Sequence, residues 1–300
     1  MWRFVQVSDP HLGSLRDGVW NNGFICTMMP DVMRCLRRDL AALNPEFILA
    51  TGDLASHDSR DAVFAARDLM DSLDLPYFPM GGNHDFAVPG AREWFLEAYH
   101  AQLPSRRTYY DFEWKNLHFF VLDAWWLLSD GTLSEVSERA IAVRQEESLN
   151  GARWSVPDEQ LDWLDASLAR HSSRPAIIAC HYPAVPIPNR LKRPGMKDGG
   201  CLSNGDALLK VVERHPHVKC LFSGHVHMHF IERVNGLTQV TTGAMPEYPT
   251  EFREVRVYDD RLEVSTHGLS DPSFAARSLI PGHGWTGGQT VDRTAVIPLA

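Results

Sequence analysis

The sequence is poor in several features at once, and each shortage excludes something. No apolar run approaches the ~20 residues a membrane-spanning helix requires. The opening stretch, Met1-Trp2-Arg3-Phe4-Val5-Gln6-Val7, reads directly as a strand, without the basic and apolar regions of a secretory signal, so a cytoplasmic location is expected. Cysteine is scarce: Cys26, Cys35, Cys180, Cys201 and Cys220 are scattered, odd in number and form no CxxC pair. That spacing argues against a disulfide framework or a cysteine zinc site and fits a reducing compartment. Basic residues are outnumbered, 29 against 38 acidic, for a formal net charge of −9. A nucleic-acid or anionic-membrane surface needs a basic patch, so neither partner is expected.

What remains is an ordinary globular composition: 300 residues, 44% hydrophobic and 22% charged. This is chain enough for one large domain or two small ones with a substantial core. Fourteen histidines are present, and their positions carry the information.

Short apolar runs alternate with helical patterns. Phe4–Val7, Glu46–Ala50 and Leu75–Met80 read as buried strands, separated by amphipathic helices over 31–43 and 59–73. A short helix is expected over 90–100, an antiparallel pair over 107–114 and 117–122, and helices over 157–171 and 203–214. Strands are expected at 176–180 and 218–222, then four antiparallel strands at 230–234, 237–241, 254–258 and 262–266. Strand–helix alternation implies an α/β sheet, whose ligands gather beyond the carboxyl ends of the strands. Residues 123–156 and 184–201 read as insertions on the rim of a site. Trp125 and Trp126 in the first suit core or lid packing better than a ligand box. Arg190, Lys192, Arg193 and Lys197 make the second locally basic, although an ordinary solvated loop explains them as well. Residues 268–300, rich in Gly and Pro, read as a weakly structured tail packing on the body or on a neighbouring subunit of a homo-oligomer.

The polar residues fall at strand ends. Asp9 and His11 are two apart, so on extended backbone both point to one side. Gly52-Asp53 follows the second strand. Gly81-Gly82-Asn83-His84-Asp85 follows the third, its glycines allowing a sharp turn, with Asn as an oxygen ligand, His as a proton carrier and Asp as its orienter. His181 follows the strand at 176–180, and His225 and His227 follow the one at 218–222. Seven oxygen and nitrogen donors without sulfur exceed one tetrahedral zinc site and suit two metals sharing a bridging carboxylate. Of the other histidines, His57, His100, His171, His215 and His217 read as solvated, His118 lies in a strand pattern, and His229 follows His227 in the same parity.

The series Asp9-Pro10-His11, Gly52-Asp53, Gly82-Asn83-His84-Asp85, His181 and Gly224-His225-Val226-His227 resembles the calcineurin-like metallophosphoesterase superfamily over roughly residues 1–267. It is most similar to the bacterial class III cyclic-nucleotide and glycerophosphodiester phosphodiesterase branch. The resemblance implies a catalytic domain over 1–267 with a four-layer αββα sandwich of two mixed sheets flanked by helices. It implies two metal ions (Fe, Mn, Zn or Co): Asp9, His11 and His227 on the first, Asn83, His181 and His225 on the second, Asp53 bridging. Hydroxide generated at that pair would attack a small phosphodiester in line, while Asn83 and His84 meet the phosphate and Asp85 orients His84. Two related activities are alternatives. A serine/threonine phosphatase-type monoesterase is disfavoured, because Gly52-Asp53-Leu54-Ala55-Ser56 lacks that family's arginine. A repair nuclease shares His11-Leu12-Gly13 but would want a basic surface. A non-catalytic scaffold of the same fold should have lost ligands, and this chain has every one.

Overall fold

The computed structural model describes residues 1–56, 59–129, 132–135 and 154–299. His57 and the mixed-charge stretch 136–153 of the expected rim insertion lie outside them. The chain begins with β1 (Trp2–Val7), a two-residue hairpin β2 (Gly18–Val19) and β3 (Gly23–Phe24), then α1 (Met29–Leu43) and β4 (Ile48–Thr51). Next come α2 (Arg60–Asp71), β5 (Tyr77–Met80) and α3 (Ala91–Ala98). The hairpin β6 (Tyr110–Trp114) and β7 (Leu117–Leu122) is followed by β8 (Trp126–Ser129), β9 (Thr132–Glu135) and β10 (Trp154–Ser155), which form a small sheet of their own. The second half contributes α4 (Asp158–Arg170), β11 (Ala176–Cys180), α5 (Gly205–Glu213), β12 (Val218–Ser223), β13 (Phe230–Val234) and β14 (Leu237–Thr241). It ends with β15 (Glu251–Val257), β16 (Arg261–Gly268), α6 (Ser273–Ser278) and β17 (Thr294–Pro298).

The local signals are plain. Helix α1 opens with Pro30 near its first position, buries Val32, Cys35, Leu36 and Leu40 on one stripe, and stops at Asn44 in the left-handed conformation (φ 54°). Helix α2 is capped by the Ser59 hydroxyl, which accepts from Ala62 N–H. The two six-stranded sheets run β17-β16-β15-β1-β4-β5 and β13-β14-β12-β11-β7-β6. Both are mixed: β1, β4 and β5 are parallel in the first, and β7, β11, β12 and β14 in the second. With helices on the outside this is the αββα arrangement.

Aromatic rings fill the interlayer. Phe4 of the first sheet stacks on Phe47 at 5.0 Å and meets Phe119 and Phe222 of the second sheet edge-on at 5.4 and 5.8 Å. Phe78 lies flat on Phe112, and Phe112 on Phe119. Edge-to-face and offset contacts of this kind add to the area that large rings remove from water. One polar residue crosses the same layer. Gln6, fully buried, donates to Thr51 Oγ1 and to the carbonyl of Ser223, and accepts from the Thr242 hydroxyl. It ties the ends of β1, β4 and β12 together immediately below Asp9, Asp53 and His225.

The 268–300 segment differs from expectation. It forms α6 and then β17, which pairs antiparallel with β16 and buries Ala295 and Ile297 in alternation. Pro298 is tolerated because β17 is an edge strand. Gly and Pro density masked a five-residue strand. Between them, Trp285 packs on the cluster of Ile187, Leu191, Val226, Met228 and Phe230, and Thr286 O accepts from His229 N–H.

Because Phe4 bridges both sheets, Phe4→Ala is expected to cost about 3–5 kcal/mol, measured by urea unfolding. A loss below about 1 kcal/mol would contradict its role between the layers.

Candidate metal centre

The strand ends of β1, β4, β5, β11 and β12 meet at one place. To point inward there, the chain adopts conformations that ordinary residues avoid. Asp9, His11, Asp53, His225 and His227 all have φ between 42° and 68°, half of the ten non-glycine residues with positive φ among the described residues. Each costs of order 1–3 kcal/mol, and such outliers persist where surrounding structure enforces them. Here the backbone does so: Asp9 N–H donates to Gly52 O, His11 N–H to Asp53 O, and Gly224 N–H to His181 O. Glycines make the approach possible. A Cβ at Gly224 would sit 2.2 Å from Asp9 Oδ2, one at Gly52 2.1 Å from His181 Nδ1, and one at Gly82 2.3 Å from Asp53 Oδ1.

The donor atoms form two groups. Asp9, His11, Asp53 and His227 each offer one ligand atom, all within 4.8 Å of one another, and Asp53, His181 and His225 do the same. Asp53 belongs to both. His11 Nε2 lies 3.3 Å from His227 Nε2, and His181 Nε2 lies 3.4 Å from Asp53 Oδ2 and 3.9 Å from Asp9 Oδ1. Asn83 joins the second group, its Oδ1 3.3 Å from His181 Nε2. The imidazoles are oriented from behind. His181 Nδ1 donates to Thr51 O (2.8 Å), His227 Nδ1 faces Glu247 Oε2 (2.9 Å), and His225 Nε2 donates to Gly199 O (2.7 Å). Holding one ring nitrogen this way fixes the tautomer and frees the other as a ligand. Oxygen and imidazole donors without sulfur, pre-oriented and close together, fit first-row divalent ions.

All seven expected donors are therefore brought together. Asp85 is not where sequence reasoning put it. Its buried carboxylate turns away from His84 and accepts from Leu54, Ala55 and Gly82 N–H at 3.1, 2.8 and 2.8 Å. Three backbone donors in a closed turn outcompete one exposed imidazole, so Asp85 fastens the β4 and β5 loops to each other. His84 instead has Nδ1 3.3 Å from Ser56 O, which leaves Nε2 for the cavity above. His229 also points elsewhere: it is buried against Glu251 (3.3 Å) and Gly243 N–H.

A cavity of about 460 Å³ lies over the donors. Phe24 packs on His11 and His227 (5.0 and 5.1 Å) and is joined by Trp20. Facing them, Tyr182 packs on His225 at 3.8 Å, and Trp125 stacks on Trp154 at 4.1 Å. Trp125 is thus both packed and cavity-lining, with its indole N–H pinned to Phe86 O (3.1 Å). The basic loop divides. Arg190 pairs with Glu232 and Asp292, whereas Lys197 sits over the Trp20 ring. Sequence reasoning missed Glu247, Trp20, Phe24 and Trp154. A lone acid between prolines and aromatics in irregular stretches carry no period.

The family model for calcineurin-like phosphoesterase matches residues 3–229. The chain belongs to that family. Among curated proteins this phosphoesterase is 25% identical over 236 residues to a 3′,5′-cyclic-nucleotide phosphodiesterase of Nostoc sp., covering 74% of this chain and 76% of that protein. It is 23% identical over 218 residues to a glycerophosphodiester phosphodiesterase of Enterobacter lignolyticus, covering 72% and 68%. Its fold matches the crystal structure of a dimetal phosphatase from Danio rerio with a TM-score of 0.69 and 20% identity, over 90% of this chain and 97% of that one. Among the described residues no helix is long and apolar enough to cross a membrane.

Electrostatics of the phosphoesterase centre follow from burial and pairing. Burial opposes charge on His181 and His227, but Asp53 and Asp9 raise His181 to about 9, and Asp9 with Glu247 raises His227 to about 10. Burial, reinforced by the charge on His181, pushes His225 down to about 3. Burial and His84 hold His11 well below the usual range. Burial and the neighbouring Asp53 push Asp85 up to about 7.

Without metal at pH 7, His181 and His227 carry protons. A cation requires them neutral, so loading must expel both. Titrating the apo protein with Mn²⁺ at pH 7 in two buffers of different ionisation enthalpy should show about two protons released per chain. The release should fade as pH rises through about 9 and 10, where these imidazoles are already neutral. Uptake with no proton release at pH 7 would contradict the assigned charge states.

Proposed function

We propose that this phosphoesterase is a dinuclear metal-dependent phosphodiesterase acting on a small phosphodiester that carries a flat ring, of the cyclic-nucleotide kind. The reading rests on one observation: a donor cluster for two cations lies beneath facing aromatic walls, Trp20 and Phe24 against Trp125, Trp154 and Tyr182. The names of the relatives agree with the reaction class and divide over the substrate, one a cyclic-nucleotide and the other a glycerophosphodiester phosphodiesterase. Aromatic walls favour the first, since stacking a base on such rings is worth about 1–3 kcal/mol, and a glycerol ester has nothing to stack.

In this reading Asp9, His11 and His227 would hold one ion and Asn83, His181 and His225 the other, with Asp53 shared between them; Fe, Mn, Zn and Co all suit the donors. Two ions bound there would supply Lewis-acid stabilisation of the phosphoryl oxygens and a nucleophile competent near neutral pH. The remaining work belongs to the chain. The walls clamp the ring and exclude water, which fixes the phosphate's approach. Asn83, positioned by Tyr182 OH (3.4 Å), holds its carboxamide oxygen toward His181. His84 Nε2 would face the phosphate, where it hydrogen-bonds a phosphoryl oxygen as charge builds or passes its proton to the leaving alkoxide. Its exposure on the cavity lip suits that role better than a ligand's.

Mn²⁺-loaded protein should hydrolyse 3′,5′-cyclic nucleotides and bis(p-nitrophenyl) phosphate in preference to glycerophosphoethanolamine and p-nitrophenyl phosphate. Trp125→Ala should raise KM for a cyclic nucleotide roughly 5- to 150-fold and leave a glycerophosphodiester unaffected. His84→Ala should retain both ions and lose about 10²–10⁴-fold in kcat, whereas Asn83→Ala should lose one ion. Preference for glycerophosphodiesters, with Trp125→Ala silent toward cyclic nucleotides, would overturn the substrate assignment. A fully active His84→Ala would overturn the role given to His84.

A further inference from the structure

A second cluster of imidazoles and carboxylates lies at the far end of the second sheet. Strand β7 runs parallel to β11, with Leu122 opposite Cys180, next to the main centre, and His118 opposite Ala176 at the other end. Asp111 and Glu113 are two apart on β6 and therefore share a face, and Glu113 stands directly across the hairpin from His118. His171, the residue that ends α4, brings its ring to 4.2 Å from that of His118. One ligand atom each from Asp111, His118 and His171 lies within 4.8 Å of the others.

The hydrogen bonding leaves a gap at the centre of this cluster. His118 is 1% exposed, and its Nε2 bonds Asp111 Oδ2 at 2.7 Å. Its Nδ1 is buried with no hydrogen-bond partner. Glu113 gives Oε2 to Arg174, while its Oε1 lies 3.7 Å from His118 Nδ1 and 3.6 Å from His171 Nδ1. Those separations are too long for hydrogen bonds. They are close to the roughly 3.4 Å between neighbouring ligands of a tetrahedral ion with bonds near 2.1 Å. A buried imidazole nitrogen without a hydrogen-bond partner, facing a carboxylate 3.7 Å away, is satisfied by a cation held between them. Asp111 on the opposite nitrogen is the carboxylate that commonly orients a metal-binding histidine.

We propose that His118 Nδ1, His171 Nδ1 and Glu113 Oε1 form a third metal site, for a borderline divalent ion such as Zn²⁺, with Asp111 as the group that positions His118. A bound ion would pin the end of α4 to the β6–β7 hairpin. The site is separate from the phosphoesterase centre and independent of the reading given for it.

The test is metal counting by difference. Wild-type protein, His171→Ala and Glu113→Gln are dialysed against the same low-micromolar free Zn²⁺ and analysed for zinc per folded chain. Both substitutions are at partly exposed positions that leave the core intact, and hydrolysis by the Mn²⁺-loaded variants should be unchanged. The expected result is one zinc fewer in each variant, with a smaller zinc-induced rise in Tm, because binding to the folded state stabilises it by mass action. Equal zinc content in all three proteins would overturn the proposal, whatever the occupancy of the main centre.

Discussion

Two carboxylates, Asp9 and Asp53, are buried at the strand ends with almost no access to water, and the rest of the centre answers to the positive charge they require. An unpaired buried carboxylate costs several kcal/mol, so the charge must be supplied either as imidazolium or as metal. Imidazolium at His181 and His227 is one source of it, and the same residues are the donors a cation would use. Left-handed turns at five donor positions, the bare faces of Gly52, Gly82 and Gly224, and the Gln6 tie beneath them all hold these groups closer than side-chain preferences would. Strain and charge are therefore held at the same residues.

Support comes from a ring of groups behind the donors. Glu247 fixes His227 while also accepting from Asn22 N–H, which anchors the β2–β3 hairpin region that carries Trp20 and Phe24. Gly199 O fixes His225 and comes from the basic loop, whose Lys197 backbone bonds Asn21 in both directions. Orientation of the donors and construction of the cavity walls are therefore coupled. The segment that shapes the pocket is the same segment that sets the tautomers.

Much of this was legible in the residues themselves. Period-2 and period-3.6 patterning located the strands and helices, and each donor stands immediately after a strand, where an α/β sheet places its ligands. Asp85 turned out to bond elsewhere because a contiguous Asn-His-Asp says nothing about which backbone N–H groups lie within reach, and two of the three, Leu54 and Ala55, come from the distant loop after β4. Glu247 and the aromatic walls left no signal because irregular chain has no period to read. Strand β17 was hidden by the glycines and prolines before it, although its buried Ala295 and Ile297 alternate as a strand should. His215, read as solvated, is buried on Asp165, a contact made between residues fifty apart.

The central claim is that one carboxylate, Asp53, joins two ions in a single centre. Electron paramagnetic resonance of the Mn²⁺-loaded protein tests it most directly, since two Mn²⁺ ions ~3.5–4 Å apart and sharing a carboxylate couple magnetically. The account predicts an exchange-coupled multiline spectrum that Asp53→Asn abolishes. A spectrum of isolated Mn²⁺ ions alone in the fully loaded wild-type protein would contradict it.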